Sequence, residues 1–291
     1  MILQQLINGL MLGATYSLVA IGYTLIFGVL RVLHFAHGEV LMAGAFMGLF
    51  IILWSGLPLY ITLPLTMVGT GVLGLIIEFL AIRPLRKDFH LAPLLSTIGV
   101  TIILQNLAVK LFGGYGTKFP NPIKIPDFSV GPYLISSAKV LIVGISLLLM
   151  VVLYFIIAKT KVGRAMRAVA ENHLTAGFLG VNVDRIVLFT FGIASALAGA
   201  AGVMVGISFH AVSPFIGLTF ALKGLVVMLL GGLGNVVGAM IGGLILGLAE
   251  DMSIALLPTE INLQDIVSFG IMILILIFKP TGLFGSRVTQ G

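Results

Sequence analysis

The sequence predicts an all-α, polytopic bundle of transmembrane helices with eight or nine spans, and three observations support this prediction. Hydrophobic residues make up 59% of the 291 residues, and charged residues make up only 9%, against about 25% in a typical soluble domain. Several stretches lack Asp, Glu, Lys and Arg and are long enough for a helix of about 20 apolar residues. Their apolar residues run continuously rather than at every second position, which favours helices over the strands of a membrane β-barrel.

Nine hydrophobic segments follow from the charge-free stretches and from the Gly and Pro residues that interrupt them. Residues 55–58 separate the second segment from the third, and residues 210–217 separate the sixth from the seventh. Because the second and seventh segments are short and rich in Gly, we expect one of them to be broken or re-entrant. The predicted segments are approximately 6–30, 38–54, 58–82, 91–112, 138–158, 186–208, 215–232, 234–256 and 263–278.

The distribution of charged loops predicts the orientation of the chain. Basic residues concentrate in loops 83–90 and 159–185, whereas acidic residues dominate loop 257–262 and the residues just before it. Cytoplasmic loops carry the excess of Lys and Arg, so the first two loops should be cytoplasmic and the third external. Loop 113–137 must then be external although it contains two lysines. Nine spans would place the N-terminus outside, and eight spans would place it in the cytoplasm.

The composition also excludes several classes of protein. So few charges cannot cover the surface of a soluble enzyme, a disordered protein or a nucleic-acid-binding domain. The net charge of +6 reflects basic loops rather than an anionic partner, and the absence of cysteine excludes disulfides and thiolate metal sites. Residues 1–30 have no charged side chain, so we expect a retained span rather than a cleaved signal peptide. The whole chain, 1–291, is predicted to form one transmembrane domain.

Glycine is abundant, with 37 residues, and many lie four positions apart. This spacing lets helix backbones approach closely inside a membrane, so we interpret these glycines as helix-packing residues. Stretch 38–48 also resembles stretch 231–242 in its glycine pattern, which indicates either an internal repeat or chance in a glycine-rich chain. The spaced pairs are Gly9/Gly13, Gly44/Gly48, Gly202/Gly206, Gly238/Gly242 and Gly243/Gly247.

Loop 159–185 is too polar for the lipid interior and predicts a short helix over 163–180. Arg164, Arg167 and Glu171 fall on one face of that helix. Gly180 suits its end, and Asn182 or Asp184 suits the start of the next span. The helix either lies among lipid headgroups or docks onto a soluble partner. Its many small residues favour docking, because they would anchor poorly in lipid.

Ionisable and polar residues within the predicted segments are candidates for function. His34, His37 and Glu39 form either a polar gate that lines a pathway, a hydrogen-bonded lock between helices, or part of a loop. Gln105 and Asn106 are weaker pathway candidates, because their amides could bond across helices. Lys223 stands alone between two apolar runs, and we expect its amine to reach the membrane surface.

The sequence offers no arrangement typical of catalysis. No Gly-Lys-Ser/Thr loop for ATP occurs, and no third ligand accompanies the two histidines near Glu39, so neither a nucleotide site nor a metal site is predicted. We therefore expect a chain that is not an enzyme and binds no cofactor. Any energy from ATP must arrive from another polypeptide through loop 159–185.

Several motifs resemble the permease subunits of branched-chain amino acid ABC importers of the LivH type. Residues 9–29 resemble the first span of that family, and His34-Phe35-Ala36-His37-Gly38-Glu39 resembles its asparagine-phenylalanine-alanine-histidine-glycine signature, with His34 where Asn is usual. Three further stretches are similar to family blocks, and together the motifs cover nearly the whole chain. They are Gly163-Arg164-Ala165-Met166-Arg167-Ala168 and the residues up to Gly180, Leu230-Gly231-Gly232-Leu233-Gly234-Asn235, and Lys279-Pro280-Thr281-Gly282-Leu283-Phe284-Gly285.

The resemblance implies the ABC importer permease fold in a bacterial inner membrane. It implies a second homologous permease, two ATPases that use ATP and magnesium, and an external solute-binding protein as partners. It also adds Gly234 and Asn235 to the pathway candidates. The segment that would contact an ATPase comprises Gly163, Arg164, Arg167, Ala168, Ala170, Glu171, Asn172, Ala176 and Gly180.

The first hypothesis is therefore the permease of an ATP-driven importer for branched-chain or other hydrophobic amino acids. Import of urea or short amides is the alternative within the same family, because these systems look alike in sequence. A stand-alone channel or secondary transporter would leave the basic loop without a partner. A membrane scaffold is the remaining class, and the glycine-rich halves of the chain disfavour it.

Overall fold

A computed structural model describes residues 2–85, 91–123, 125–130, 133–256 and 263–285. Residues 86–90 of the predicted loop 83–90 and the whole of the predicted loop 257–262 therefore lie outside the described residues. Within these ranges the chain forms the helices α1 (Ile2–Leu30), α2 (His37–Ser55), α3 (Leu59–Ile77), α4 (Leu91–Phe112), α5 (Ser137–Lys159), α6 (Lys161–Glu171), α7 (His173–Phe178), α8 (Val183–Phe209), α9 (Ile216–Gly231), α10 (Val236–Leu256) and α11 (Gln264–Phe278). A π-helical turn, Glu78–Ile82, extends α3.

Each of the nine predicted hydrophobic segments corresponds to one helix, and the predicted bounds are accurate to within a few residues. Seven of the described helices, α1 to α5 together with α8 and α10, are long and apolar enough to cross a membrane. Helices α9 and α11 are apolar but shorter. The architecture is that of a polytopic membrane protein.

Two local features depart from the predictions. The all-α prediction missed four short strands, β1 (Thr117–Lys118), β2 (Phe128–Val130), β3 (Tyr133–Ile135) and β4 (Ala211–Val212), of which β1 pairs antiparallel with β4 and β2 with β3. The single helix predicted over 163–180 is two helices, α6 and α7. They divide at Asn172, which has extended backbone angles and whose side chain accepts a hydrogen bond from the Thr175 amide, so it begins a new helix.

The two longest helices, α1 and α8, run antiparallel through the centre of the bundle. Gly22 of α1 lies beside Ala194 of α8, where a Cβ atom on Gly22 would be 3.3 Å from the Ala194 carbonyl oxygen. Nearer the start of α1, Met11 accepts a hydrogen bond from Ser208, near the end of α8. The two helices therefore pass each other along most of their length.

Both long helices are followed by connections of equal length, 31–36 and 210–215, which turn back into the bundle. Each connection starts with a left-handed residue, Arg31 (φ 57°) or His210 (φ 54°), and these two are the only described residues other than Gly with positive φ. The first connection leads to His37, whose ring touches Gly22, about 12 Å before the end of α1 at about 1.5 Å per residue. Helix α2 thus begins beside the middle of α1.

Helix α9 begins at the same level as α2, because the two backbones meet at Gly38 and Gly217. A Cβ atom on Gly217 would lie 2.7 Å from the Gly38 carbonyl oxygen. We expected one of the second and seventh segments to be broken or re-entrant, and both helices start inside the bundle. The stretch at Gly38 thus meets the stretch at Gly217. The internal repeat of 38–48 and 231–242, offered above as an alternative to chance, stays a prediction.

The two halves of the chain interlock through glycine contacts. Helix α1 packs antiparallel on α10, where Gly9 and Gly13 face Gly247 and Gly243, and α8 packs antiparallel on α3. Each helix that starts inside the bundle packs on the long helix of the other half of the chain: α2 packs on α8 at Gly44 and Gly199, and α9 packs on α1. The glycine pairs predicted from spacing lie at helix contacts, except that Gly206 faces the Phe119 ring of the connection between α4 and α5. Each half of the chain completes the packing of the other.

Candidate functional site

Helices α6 and α7 form a surface segment with capped ends. The Thr160 hydroxyl accepts a hydrogen bond from the Gly163 amide at 3.1 Å, and the Asn182 side chain accepts one from the Arg185 amide at 3.0 Å. Asn182, one of the two predicted caps, therefore begins α8. Gly180 ends the segment as predicted, with φ of 86° and a bond from the Val181 amide to the Ala176 carbonyl.

The residues predicted to contact an ATPase divide by exposure. Those on the surface are Arg164, Arg167, Glu171, Asn172 and Gly180, and Ala168 and Ala170 are partly exposed. Gly163 and Ala176 are buried within the chain. A side chain on Gly163 would collide with the Ile157 carbonyl, so this glycine serves the close approach of α6 to the end of α5.

Sequence reasoning missed an apolar patch on α7. Leu174, Phe178 and Leu179 are exposed by 75%, 90% and 79%, and we call them the α7 patch. Leu174 and Phe178 are four residues apart on a helix and so share a face, which was the available signal. Large apolar side chains grouped next to exposed arginines are typical of a contact surface.

Helices α6 and α7 are bonded directly to the end of α1. The His173 ring nitrogen Nε2 lies 2.5 Å from the Val29 carbonyl oxygen, and the Arg31 guanidinium donates to the Ala170 carbonyl at 3.2 Å. Arg31 opens the connection that carries His34 and leads into α2. A displacement of α6 and α7 would therefore act directly on the backbone that enters the centre of the bundle.

The centre contains a set of buried polar residues around the contact of Gly38 with Gly217, and we call it the central crossing: Tyr23, His34, His37, Glu39 and the two glycines. The rings of Tyr23 and His37 are 4.7 Å apart, and those of His34 and His37 are 6.0 Å apart. All four polar side chains are almost completely buried. Neither ring nitrogen of His34 has a hydrogen-bond partner among the described residues, so the predicted histidines and Glu39 do come together but not as a bonded lock.

The other predicted pathway residues lie elsewhere. Gln105 and Asn106 are on α4, a mostly exposed helix, and the Asn106 amide donates to Ile102 of its own helix at 2.8 Å. Gly234 and Asn235 form the turn between α9 and α10. Together with Arg167 they line a cleft of about 580 Å³ beside α6, so this pair belongs with the surface segment rather than with the central crossing.

The C-terminal motif closes the end of α9. The amides of Leu283 and Phe284 donate to the carbonyls of Leu230 and Gly231, at 2.8 and 3.2 Å. The Asn235 amide in turn donates to the Phe284 carbonyl at 2.8 Å. Carbonyls at a helix end need partners from outside the helix, and this chain supplies them from the Lys279–Gly285 motif.

A second buried polar group was not predicted, and we call it the Lys223 cluster: Tyr16, Lys223, Glu250, Asp265 and Ser268. The Lys223 ammonium is 2.5 Å from Glu250, 2.8 Å from Asp265 and 2.9 Å from the Ser268 hydroxyl. The Tyr16 hydroxyl donates to the second oxygen of Glu250 at 2.8 Å. Lys223 is buried, so the expectation that its amine reaches the membrane surface is wrong.

No group of three His, Asp or Glu side chains in the described part of the chain is placed to hold a metal ion. Exposed charges occur on α6 and α7, and buried polar groups occur in the central crossing and the Lys223 cluster.

The family model for the permease component of branched-chain amino acid transport systems matches residues 5–276. The chain belongs to this permease family. It is 38% identical to the high-affinity branched-chain amino acid permease proteins BraD of Pseudomonas aeruginosa and LivH of Escherichia coli, over 97% of this chain and 95% of each relative. It is also 25% identical to LivM of Salmonella typhimurium, over 92% of this chain and 67% of that protein. The resemblance read from the motifs is confirmed, and the chain is a transport-system permease rather than an enzyme.

Proposed function

We propose that this permease is a transmembrane subunit of an ATP-driven importer of branched-chain amino acids in a bacterial inner membrane. The observation that carries the proposal is the 38% identity to LivH and BraD over 97% of the chain. In this proposal residues 1–291 form one permease domain with nine spans, and loop 159–185 is cytoplasmic. The N-terminus then lies outside.

The partners in this proposal are a second permease, two ATPases and an external solute-binding protein. The match to LivM supports the pairing of two related but different permeases. ATP and magnesium bind to the ATPases, and this chain contributes the surface that receives their motion. Lipid surrounds the exposed apolar faces of helices such as α4 and α5, which bury little of their surface within the chain.

Helices α6 and α7 are the proposed coupling surface. Arg164, Arg167 and Glu171 supply exposed charges, and the α7 patch supplies the apolar anchors that dominate most protein interfaces. The bonds from His173 to Val29 and from Arg31 to Ala170 connect this surface to the end of α1. Closure of the ATPases would move the connection 31–36 and, through it, the start of α2 at the central crossing.

The function is tested by uptake of labelled leucine and labelled urea in cells that lack this chain. We expect a deficit in leucine uptake alone, which returns when the chain is restored. A deficit in urea alone would keep the permease and change its cargo. No deficit in either would overturn the amino acid assignment.

The coupling surface is tested in the same cells with Phe178→Ser and Glu171→Lys. Because Phe178 is 90% exposed and makes the largest apolar contribution to the patch, its loss should lower leucine uptake by about tenfold or more without affecting membrane insertion. Tyr115→Ser is the matched control, since Tyr115 is also 90% exposed but lies in the predicted external loop 113–137. Normal uptake by both Phe178→Ser and Glu171→Lys would exclude docking at the surface of α6 and α7.

A further inference from the structure

We propose that the cavity beside the Lys223 cluster binds the amino acid itself, with Lys223 taking its carboxylate and Asp265 taking its ammonium group. This inference rests on the proposed function and names a substrate site within the permease. Apart from Tyr16, which lies within the motif 9–29, the residues that line this cavity lie outside the motifs quoted above.

The cavity lies on the side of the bundle away from α6 and α7, beside the end of α8 and the starts of α9 and α11. Its volume is about 390 Å³, within the range of about 300–1,000 Å³ for small-molecule pockets. The Tyr16 and Phe220 rings, with centroids 5.7 Å apart, and the Phe209 ring, 6.1 Å from Phe220, supply its apolar wall. The polar wall is formed by Lys223 and Asp265. A branched aliphatic side chain suits the first wall, and a zwitterion suits the second.

Lys223 is shared by two carboxylates that differ in exposure. The Glu250 side chain is only 1% exposed, whereas the Asp265 side chain is 64% exposed. Asp265 can therefore leave Lys223 without being buried, while Glu250 continues to balance the buried ammonium. The donor that Asp265 releases becomes available to a ligand carboxylate, and Asp265 itself becomes available to a ligand ammonium.

This exchange replaces one ion pair by two. Lys223 with Glu250 and Asp265 carries one positive and two negative charges, a net charge of −1. A zwitterion adds no net charge, but it places its ammonium beside Asp265 and its carboxylate beside Lys223, so each charge of the ligand meets an opposite charge. A neutral amide such as urea can form neither ion pair, so the site discriminates in favour of amino acids.

The test measures binding of labelled leucine to the intact transporter, purified with its partner subunits in lipid nanodiscs and without the solute-binding protein. We expect saturable binding of leucine, and about tenfold weaker binding of 4-methylpentanoate, which lacks the ammonium group. Asp265→Asn should abolish the preference for leucine over 4-methylpentanoate, because leucine loses the partner of its ammonium group whereas the acid has no ammonium group to lose. This loss of discrimination is a readout that a purely structural role of Asp265 would not produce.

A second variant guards against a folding defect. Thr219→Leu adds bulk to the cavity wall without touching the ion pairs, and it should reduce binding of leucine and of 4-methylpentanoate alike. Asp184→Asn, at the opposite end of the bundle, is the control and should bind both ligands as the wild type does. If the complete wild-type transporter imports leucine while Asp265→Asn and Thr219→Leu bind it normally, the site is wrong and the function stands. If the complete transporter imports no leucine, the proposed function itself fails.

Discussion

The central crossing and the Lys223 cluster both bury polar side chains against α1 and α9, yet they are held in different ways. In the Lys223 cluster, side chains from four helices satisfy one another through an ammonium, two carboxylates and two hydroxyls. In the central crossing the contact is made by the backbones of Gly38 and Gly217, and the ring nitrogens of His34 have no partner among the described residues. The Lys223 cluster is held by ion pairs and hydrogen bonds between side chains. The central crossing is held by a close backbone contact that is possible because glycine has no side chain.

This difference indicates that polar side chains are buried for stability in the Lys223 cluster and for another role in the central crossing. In an ionic cluster, removing one buried charged side chain leaves its partner charge alone in the interior, which strongly destabilises the folded protein. An unpartnered polar group opposes folding, so its presence calls for a role other than stability. The assignment of His34, His37 and Glu39 to a transport pathway remains a prediction. Three substitutions test the difference between the two regions, and the last of them also tests the pathway role.

The largest effect is expected for Lys223→Met. It leaves Glu250 buried without its cation, which costs about 3–5 kcal/mol. The measurement is the free energy of unfolding of the purified permease in mixed micelles. Adding Glu250→Gln to Lys223→Met removes the stranded charge and should restore part of the loss. A change below about 1 kcal/mol in the single variant would show that the cluster is not the fastening described above.

An intermediate effect is expected for Gly217→Ala. The new methyl group would lie 2.7 Å from the Gly38 carbonyl oxygen and 2.9 Å from Glu39 Oε2, so the helices must separate at a cost of about 1–3 kcal/mol. Gly144→Ala is the matched control, because Gly144 lies within α5 with open space around it. Alanine there should be stabilising by about 0.5–1 kcal/mol. Equal stability of both variants would contradict a backbone contact at the crossing.

The smallest effect on stability is expected for His34→Leu. Leucine has a similar volume and removes two unpartnered nitrogens, so the free energy of unfolding should fall by no more than about 1 kcal/mol and could rise. Leucine uptake by the same variant measures the pathway role, which predicts a loss of transport without a loss of stability. A large loss of stability would indicate that His34 is bonded and structural. Unchanged uptake would remove it from the pathway.

The positions of the helices were predictable from the sequence because the membrane imposes strong and local rules. Charges, Gly and Pro mark where apolar stretches must stop, and Gly180 and Asn182 mark the end of one helix and the start of another. Asn172 carried the same kind of signal, since asparagine is favoured at a helix start. Taking it into account would have predicted two helices, α6 and α7, in place of one.

The internal starts of α2 and α9 and the Lys223 cluster could not be read from local patterns. Lys223 finds Glu250, Asp265 and Tyr16 only after four helices have packed, and no spacing rule joins residues 16 and 223. The equal connections 31–36 and 210–215 share almost no sequence, so their common geometry was hidden. The resemblance of 38–48 to 231–242 carries little weight, because glycine is frequent at helix contacts throughout this chain.

The glycine contact between α1 and α10 also has a consequence in time. Gly13 contacts Gly247, which is synthesised 234 residues later. At about 5–20 residues per second, translation needs about 12–47 s to deliver that partner. Throughout this interval the glycine face of α1 is bordered by lipid or by whatever the insertion machinery provides. One of the closest backbone contacts in the finished protein thus forms late, and this face of α1 must remain accessible until α10 has been inserted.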